Sequence, residues 1–234
     1  MDKSPNTIRK TFDRIAPTYD ILNATLSFSI DNSWRRTTIS VLELTTRDKV
    51  LDVATGTGDL AIRALQAVPC KVVGIDLSRN MLLQATRKAV SHVRAGRFCP
   101  VQGDALAIPV ESGAFTKAMV AFGMRNVQNL EGFLDEIYRV LKGGGRMAVL
   151  EFSVPRNKIF RPLYLTYFRH ILPAVGGVVS GDCKAYKYLQ SSVEGFPPPL
   201  KLEHVMKKRG FRMILSKPLS MGIVHLYLME KAQQ

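Results

Sequence analysis

The run from Leu51 to Asp59 reads LDVATGTGD, with two glycines and two acids directly after a short apolar stretch. Gly56 and Gly58 let a backbone approach a ligand closely and turn its amides toward it. The next apolar stretch ends at Asp76, where a carboxylate can accept two hydrogen bonds from the vicinal hydroxyls of a ribose. The third is followed by Gln102, Gly103, Asp104 and Ala105. That is the place where an adenine amino group would be read, and a side-chain acceptor suits such a donor. From Gly56 to Ala61 the string GTGDLA also satisfies the dinucleotide pattern with alanine last. The first two features therefore fit a nicotinamide dinucleotide and S-adenosylmethionine equally. The third favours S-adenosylmethionine, and so does charge. Asp52, Asp59, Asp76 and Asp104 are expected to converge on the pocket, where four acids repel a pyrophosphate but tolerate a sulfonium. No His, Asp and Cys cluster has ligand spacing, so no metal is expected.

Elements must hold these residues in place, and the hydropathy pattern supplies them. Residues 49–54, 71–75, 97–101, 118–122 and 146–152 read as strands. Helical periods fall between them over 60–67, 81–93 and 130–141, the last followed by Gly143, Gly144 and Gly145 as its expected stop. Strands alternating with helices of this length predict βαβ units, a mostly parallel sheet and helices on both faces. Residues 211–217 and 223–230 predict an antiparallel hairpin at the sheet edge. Two segments stand outside the alternation. Residues 1–45 carry Phe12, Ile15, Ala16, Tyr19 and Leu22 at helical spacing and predict an N-terminal cap. Residues 155–200 show no clear period and read as a lid or substrate-binding insertion in a single domain of 1–234.

The chain has 234 residues, 46% hydrophobic and 22% charged, which excludes a disordered chain or a coiled coil. Its N-terminus is polar, and its three cysteines are scattered, as expected of a cytoplasmic protein. The net charge is +14, and residues 155–217 hold twelve Lys/Arg against three acids. Such a face attracts nucleic acid, anionic lipid or an acidic metabolite, or simply keeps a surface solvated.

Longer strings narrow the reading. FDRIAPTYD from Phe12 to Asp20, with Asn23, Leu26, Ser27, Trp34 and Arg35, resembles the ubiquinone/menaquinone biosynthesis C-methyltransferases. So do FGMRNV from Phe122 to Val127, RVLK from Arg139, and LEFS from Leu150 with Pro155. Within the insertion Leu172, Pro173, Gly176, Tyr186, Tyr188, Leu189, Ser191, Phe196 and Pro197 match as well. The chain departs from that family's usual residues at Ser29, Asp31, Ala121 and Gly143. The resemblance implies a class I S-adenosylmethionine-dependent methyltransferase fold with a seven-stranded sheet. Cofactor contacts are then expected from Ala54, Gly56, Thr57, Gly58, Asp76, Met81, Asp104, Ala105 and Ala121.

The implied reaction is C-methylation of a prenylated quinol, demethylmenaquinol first and a 2-methoxy-6-polyprenyl-benzoquinol as the alternative. Arg125 is expected to place a guanidinium beside the ring oxygen and Asn126 to orient that oxygen; otherwise Arg125 pairs with a carboxylate such as Asp20. Tyr19, Tyr164, Tyr186 and Tyr188 are expected against the substrate, with Tyr19 equally able to staple the N-terminal segment to the sheet. The aromatic, basic stretch from Arg156 to Arg169 suits either an interfacial contact with an anionic membrane surface or packing onto the sheet. The expected location is the cytoplasm, with transient contact at the inner face of the membrane and no nucleic-acid partner; the sequence leaves the oligomeric state open, a homodimer included. Two rivals of another class are an RNA methyltransferase, which the charge favours, and a non-catalytic scaffold for quinone synthesis.

Overall fold

In the computed structural model, which describes residues 3–20, 27, 30–171 and 183–233, the alternating periods become one seven-stranded sheet. Leu22, Asn23, Leu26, Ser29, Leu172, Pro173 and Gly176 lie outside the described residues, as do the side chains of 170, 171 and 183–187, Tyr186 among them. The strands are β1 (Lys49–Val53), β2 (Lys71–Asp76), β3 (Phe98–Gln102), β4 (Phe115–Ala121), β5 (Leu141–Phe152), β6 (Phe211–Leu219) and β7 (Val224–Lys231). They are ordered β3-β2-β1-β4-β5-β7-β6. The first five run parallel, and β7 inserts antiparallel between β5 and β6. The expected hairpin is present, and Pro218 sits in its edge strand, where a missing amide proton costs no ladder bond.

Alternate residues of each strand face opposite sides, so two cores form. Leu51, Val53, Val120, Met147 and Tyr227 pack with the helices α6 (Leu130–Val140) and α9 (Pro199–Lys208). Val50, Val72, Met119 and Ala148 pack on the other side with α2 (Asp31–Leu42), α3 (Asp59–Ala67) and α4 (Arg79–Lys88). Ser78 starts α4 by accepting the Met81 amide at 3.1 Å. Asn129 starts α6 by accepting the Gly132 amide at 3.0 Å.

Three expectations about elements change. The helical period over 81–93 breaks at buried Ala89 (φ −103°, ψ 23°), leaving a second short helix α5 (Val90–Arg94). The glycines 143–145 do not stop α6. The chain turns extended at Leu141, and the glycines lie inside β5 beside a register shift against β4. The helix end is satisfied from far away, by the Lys231 ammonium donating to the carbonyls of Tyr138 (2.7 Å) and Leu141 (2.8 Å). The described residues of 155–200, without a clear period in sequence, are mostly helical: α7 (Phe160–Thr166), a π turn (Tyr167–Ile171) and α8 (Cys183–Glu194). Its period is hidden because Tyr164, Phe168 and Val193 form a small separate core with Phe152 and Val154 rather than one long stripe.

β1 has β2 on one side and β4 on the other, so the chain order reverses at its carboxyl end. An open α/β sheet presents its ligand crevice there. The N-terminal helix α1 (Pro5–Ile15) lies across that edge.

Candidate functional site

A cleft opens at this switch point. Its floor is made by the turn after β1. Thr55 ties that turn to the sheet through its amide on the Ile75 carbonyl at 3.0 Å. Gly56 follows at φ +55° with open space where a side chain would project. A residue with a Cβ would be strained there and would fill the space a ligand needs. Ala54 (φ 52°) and Phe122 (φ 59°) also hold left-handed backbone without being glycines, and both line the cleft. Such strain is retained where surrounding structure over-determines it, commonly at ligand sites. Gly123 explains part of the fit: a Cβ there would meet Ala54 Cβ at 2.6 Å.

Asp76 ends β2 and faces the cleft. Its two carboxylate oxygens each accept a backbone amide, from Gly56 at 2.8 Å and Ser78 at 2.9 Å. Burial nevertheless raises its pKa to about 6, which the two amides oppose and nearby Asp13 reinforces. Each oxygen keeps acceptor capacity for a hydroxyl. Asp104 accepts the Leu106 amide at 2.9 Å, and Met81, Ile75 and Leu106 supply the apolar wall between the two acids. An apolar slot with two carboxylates and an amide-bearing turn suits a ligand that carries a diol, an aromatic amine and a positive charge.

The N-terminal segment closes the cleft. Lys3, Pro5, Ile8, Phe12 and Tyr19 line it, with Phe12 and Tyr19 in edge-to-face contact at 6.3 Å. Asp13 pins α1 to the start of α4, accepting from Ser78 Oγ at 2.6 Å and the Asn80 amide at 3.2 Å.

Of the site residues expected from sequence, Ala54, Gly56, Asp76, Met81, Asp104, Ala105, Ala121, Asn126 and Tyr19 line this one cleft. Others do not. Thr57 is buried and donates to Asp20 Oδ1 at 2.5 Å, facing away with Lys88. Gly58 is the N-cap of α3 at φ +84°, where a Cβ would meet Ala85 Cβ at 3.1 Å. The four acids do not converge. Asp52 lies beneath the turn, accepting from Thr55 Oγ1 at 2.6 Å, and burial lifts its pKa to about 7. Asp59 turns outward to Lys88 and Arg35. Asp76 and Asp104 alone of the four line the cleft. The reason lies in the tight turn, which points consecutive side chains in different directions.

Arg125 also differs from expectation. Its guanidinium is buried outside the lining, paired with Glu151 Oε1 at 2.9 Å and stacked over Phe152 at 5.2 Å. It further donates to Ser192 Oγ at 3.2 Å and to the Phe122 carbonyl. Glu151 accepts the Arg125 amide as well, at 3.1 Å. The carboxylate partner is therefore Glu151; Asp20 pairs instead with Lys88 at 2.7 Å. The effect is a strut. It holds the 3₁₀ turn Met124–Asn126 so that Asn126 faces the cleft, its Oδ1 accepting the Tyr188 hydroxyl at 2.9 Å. Tyr188 thus acts behind Asn126, its own pKa pushed up to about 12 by burial. Tyr164 is buried against Phe168 rather than in the cleft lining, and burial raises its pKa too. Phe12, Ile8 and Lys3 were missed as lining residues, and only the N-terminal helical spacing hinted at them.

The ubiE/COQ5 methyltransferase family model matches residues 1–231. The ubiquinone/menaquinone biosynthesis C-methyltransferase UbiE of Syntrophotalea carbinolica is 45% identical over 220 residues, 94% of this chain and 92% of that protein. The demethylmenaquinone methyltransferase of Thermus thermophilus is 45% identical over 201 residues, 86% of this chain and 90% of that protein. Among solved structures, the [4+2]-cyclase SpnF superposes with a TM-score of 0.71 at 16% identity, covering 97% of this chain and 96% of that one. The phosphoethanolamine N-methyltransferase 2 of Haemonchus contortus, solved with S-adenosyl-L-methionine, gives 0.65 at 16% identity, with 86% and 53% covered. At that identity the structural likeness speaks for the shared fold, that of the class I methyltransferases.

Proposed function

The chain belongs to the ubiE/COQ5 methyltransferase family, and from that premise we propose that it methylates a ring carbon of demethylmenaquinol, using S-adenosylmethionine, to give menaquinol. The observation that carries this reading is the single cleft in which Asp76, Asp104, Met81 and the Gly56 turn meet Asn126 and Tyr19. The first group would hold the cofactor, with Asp76 on the ribose hydroxyls and Asp104 toward the adenine. S-adenosylmethionine supplies a methyl group already activated on a sulfonium. The protein's task is then to hold the ring carbon in line with it and to keep the ring oxygen ionised. Asn126, fixed by Tyr188 and the Arg125–Glu151 strut, would orient that oxygen. Phe12, Tyr19 and Phe122, which line the cleft, would keep water from the bound ring.

The prenyl tail must be collected from a bilayer, and α7 offers the contact. Ile159 and Leu163 are 81% and 67% exposed, while Arg156, Lys158 and Arg161 are exposed beside them. Tyr164 and Phe168 of the same stretch are buried in the core under α7, so the aromatics pack and the aliphatics face out. This patch would touch anionic lipid reversibly, with the protein as a homodimer at the membrane's inner face. Among the described residues no helix is long and apolar enough to cross a membrane. The deciding experiment incubates the full chain with labelled S-adenosylmethionine and, separately, demethylmenaquinol and the demethylated benzoquinol. Label in menaquinol is expected; label in neither product would overturn the reading.

A further inference from the structure

Resting on the function proposed above, we propose that the ammonium of Lys3 is the cation facing the ring oxygen of the quinol, lowering the pH at which its hydroxyl ionises so that the nucleophile forms at neutral pH. The FGMRNV string points to Arg125 for this part, but Arg125 is spent on Glu151, Ser192 and the Phe122 carbonyl outside the cleft. Among the described residues that line the cleft, Lys3 carries the one positive side chain. Its Nζ donates to the Arg125 carbonyl at 2.6 Å, which fixes it one residue from Asn126. An ammonium has three donors, and that carbonyl uses one. The charged groups around it are Arg125 on the 3₁₀ turn, Glu151 at the end of β5, and Asp76 and Asp104 across the cleft. Burial and Arg125 hold its pKa below the ordinary lysine value while Glu151 opposes them.

The chemistry balances without another reagent. A phenolic hydroxyl ordinarily ionises near pH 10; beside Lys3 it loses its proton to water at lower pH. The ring carbon's electron pair forms the new C–C bond while the S–C pair stays on sulfur. The methylated ring carbon then gives its proton to water as the ring oxygen regains one, so one proton is released per turnover.

The test measures kcat against pH and S-adenosylmethionine affinity for the full chain with demethylmenaquinol in detergent, comparing Lys3→Gln and Lys3→Arg with the unmodified protein. For Lys3→Gln the acidic limb of kcat should move up by about one pH unit, so turnover at pH 7 falls about tenfold. Cofactor affinity should stay within about twofold, and Lys3→Arg should restore most of the rate, as expected of an electrostatic effect on the reacting oxygen. An unmoved limb overturns the proposal. So does a loss of cofactor affinity that Lys3→Arg fails to repair, since Lys3 would then be only a tether for α1. If the unmodified protein methylates no quinol, the proposed function fails first and this proposal falls with it.

Discussion

At the scale of single residues, the site turns on two charged side chains with different fates. Asp76 has a pKa raised to about 6 and two amides on its oxygens. In the proposed site the cofactor's hydroxyls would need its ionised form, so binding should weaken about tenfold for each pH unit below 6 and level off above 7. Stability of the ligand-free protein should run the other way. The unfolded acid releases its proton near 3.8, and the folded one holds it to about 6, so stability falls as pH rises between those values. Replacing Asp76 with Ala should weaken S-adenosylmethionine by about 1.5–3 kcal/mol, the scale of hydrogen bonds to a charged group. Calorimetry across pH 5–8 checks all three, and unchanged affinity in a folded variant would remove Asp76 from the ribose. Arg125 is a different case. Removing it leaves Glu151, 1% exposed, with an uncompensated charge. Arg125→Ala should therefore cost about 3–5 kcal/mol of stability. Pairing it with Glu151→Gln should recover a good part of that in urea titrations. An additive double variant would mean that the pair is not a strut.

Between residues and the whole lie the elements, and here α1 is the one whose docking matters most for the cleft. It is a short helix, too short to be stable alone, so its position depends on tertiary contacts. Asp13 provides the polar ones, to Ser78 and Asn80, and Ile8 and Phe12 the apolar ones. Ser78 also caps α4, so one side chain links the cover of the cleft to the helix behind Asp76. Asp13→Ala should loosen the cover by about 1–2 kcal/mol. Stopped-flow release of S-adenosylmethionine should then be roughly tenfold faster, with the quinol affinity less affected. Release at the original rate would mean that the apolar contacts alone hold α1.

The excess charge belongs to the whole molecule, and by itself it discriminated poorly. A net charge of +14 fitted RNA, lipid and plain solubility alike. Its arrangement is more informative, because Arg156, Lys158 and Arg161 are exposed around outward-facing Ile159 and Leu163. Basic residues near an anionic surface contribute about 1 kcal/mol each. Co-sedimentation with vesicles should rise with anionic lipid, fall with salt, and drop when Arg156, Lys158 and Arg161 become Ser. Equal binding to neutral vesicles would assign these cations to solubility.

The parallel sheet, its edge hairpin and the meeting of Asp76, Asp104 and Gly56 at one cleft were legible in the sequence, because each depends on short-range signals. Strand and helix periods, a glycine-rich turn and an acid at a strand end are all read within about ten residues. Asp76, Asp104 and Gly56 needed only that. What the tertiary structure alone decided involves residues far apart in the chain. Arg125 meets Glu151 across 26 residues, and Lys3 meets Arg125 across 122, so neither partnership leaves a local pattern. The carbonyls at the end of α6 are satisfied by Lys231, not by the glycines that resemble a stop. The helices of 155–200 have no readable stripe because their apolar side chains pack in a small core of their own and against strand ends. Even the acids of one short string part company, Asp52 beneath the turn and Asp59 toward Lys88, since a tight turn aims neighbours apart. Spacing reports which residues share an element; the direction each charge faces, and what neutralises it, is set only when distant strands and helices close around it.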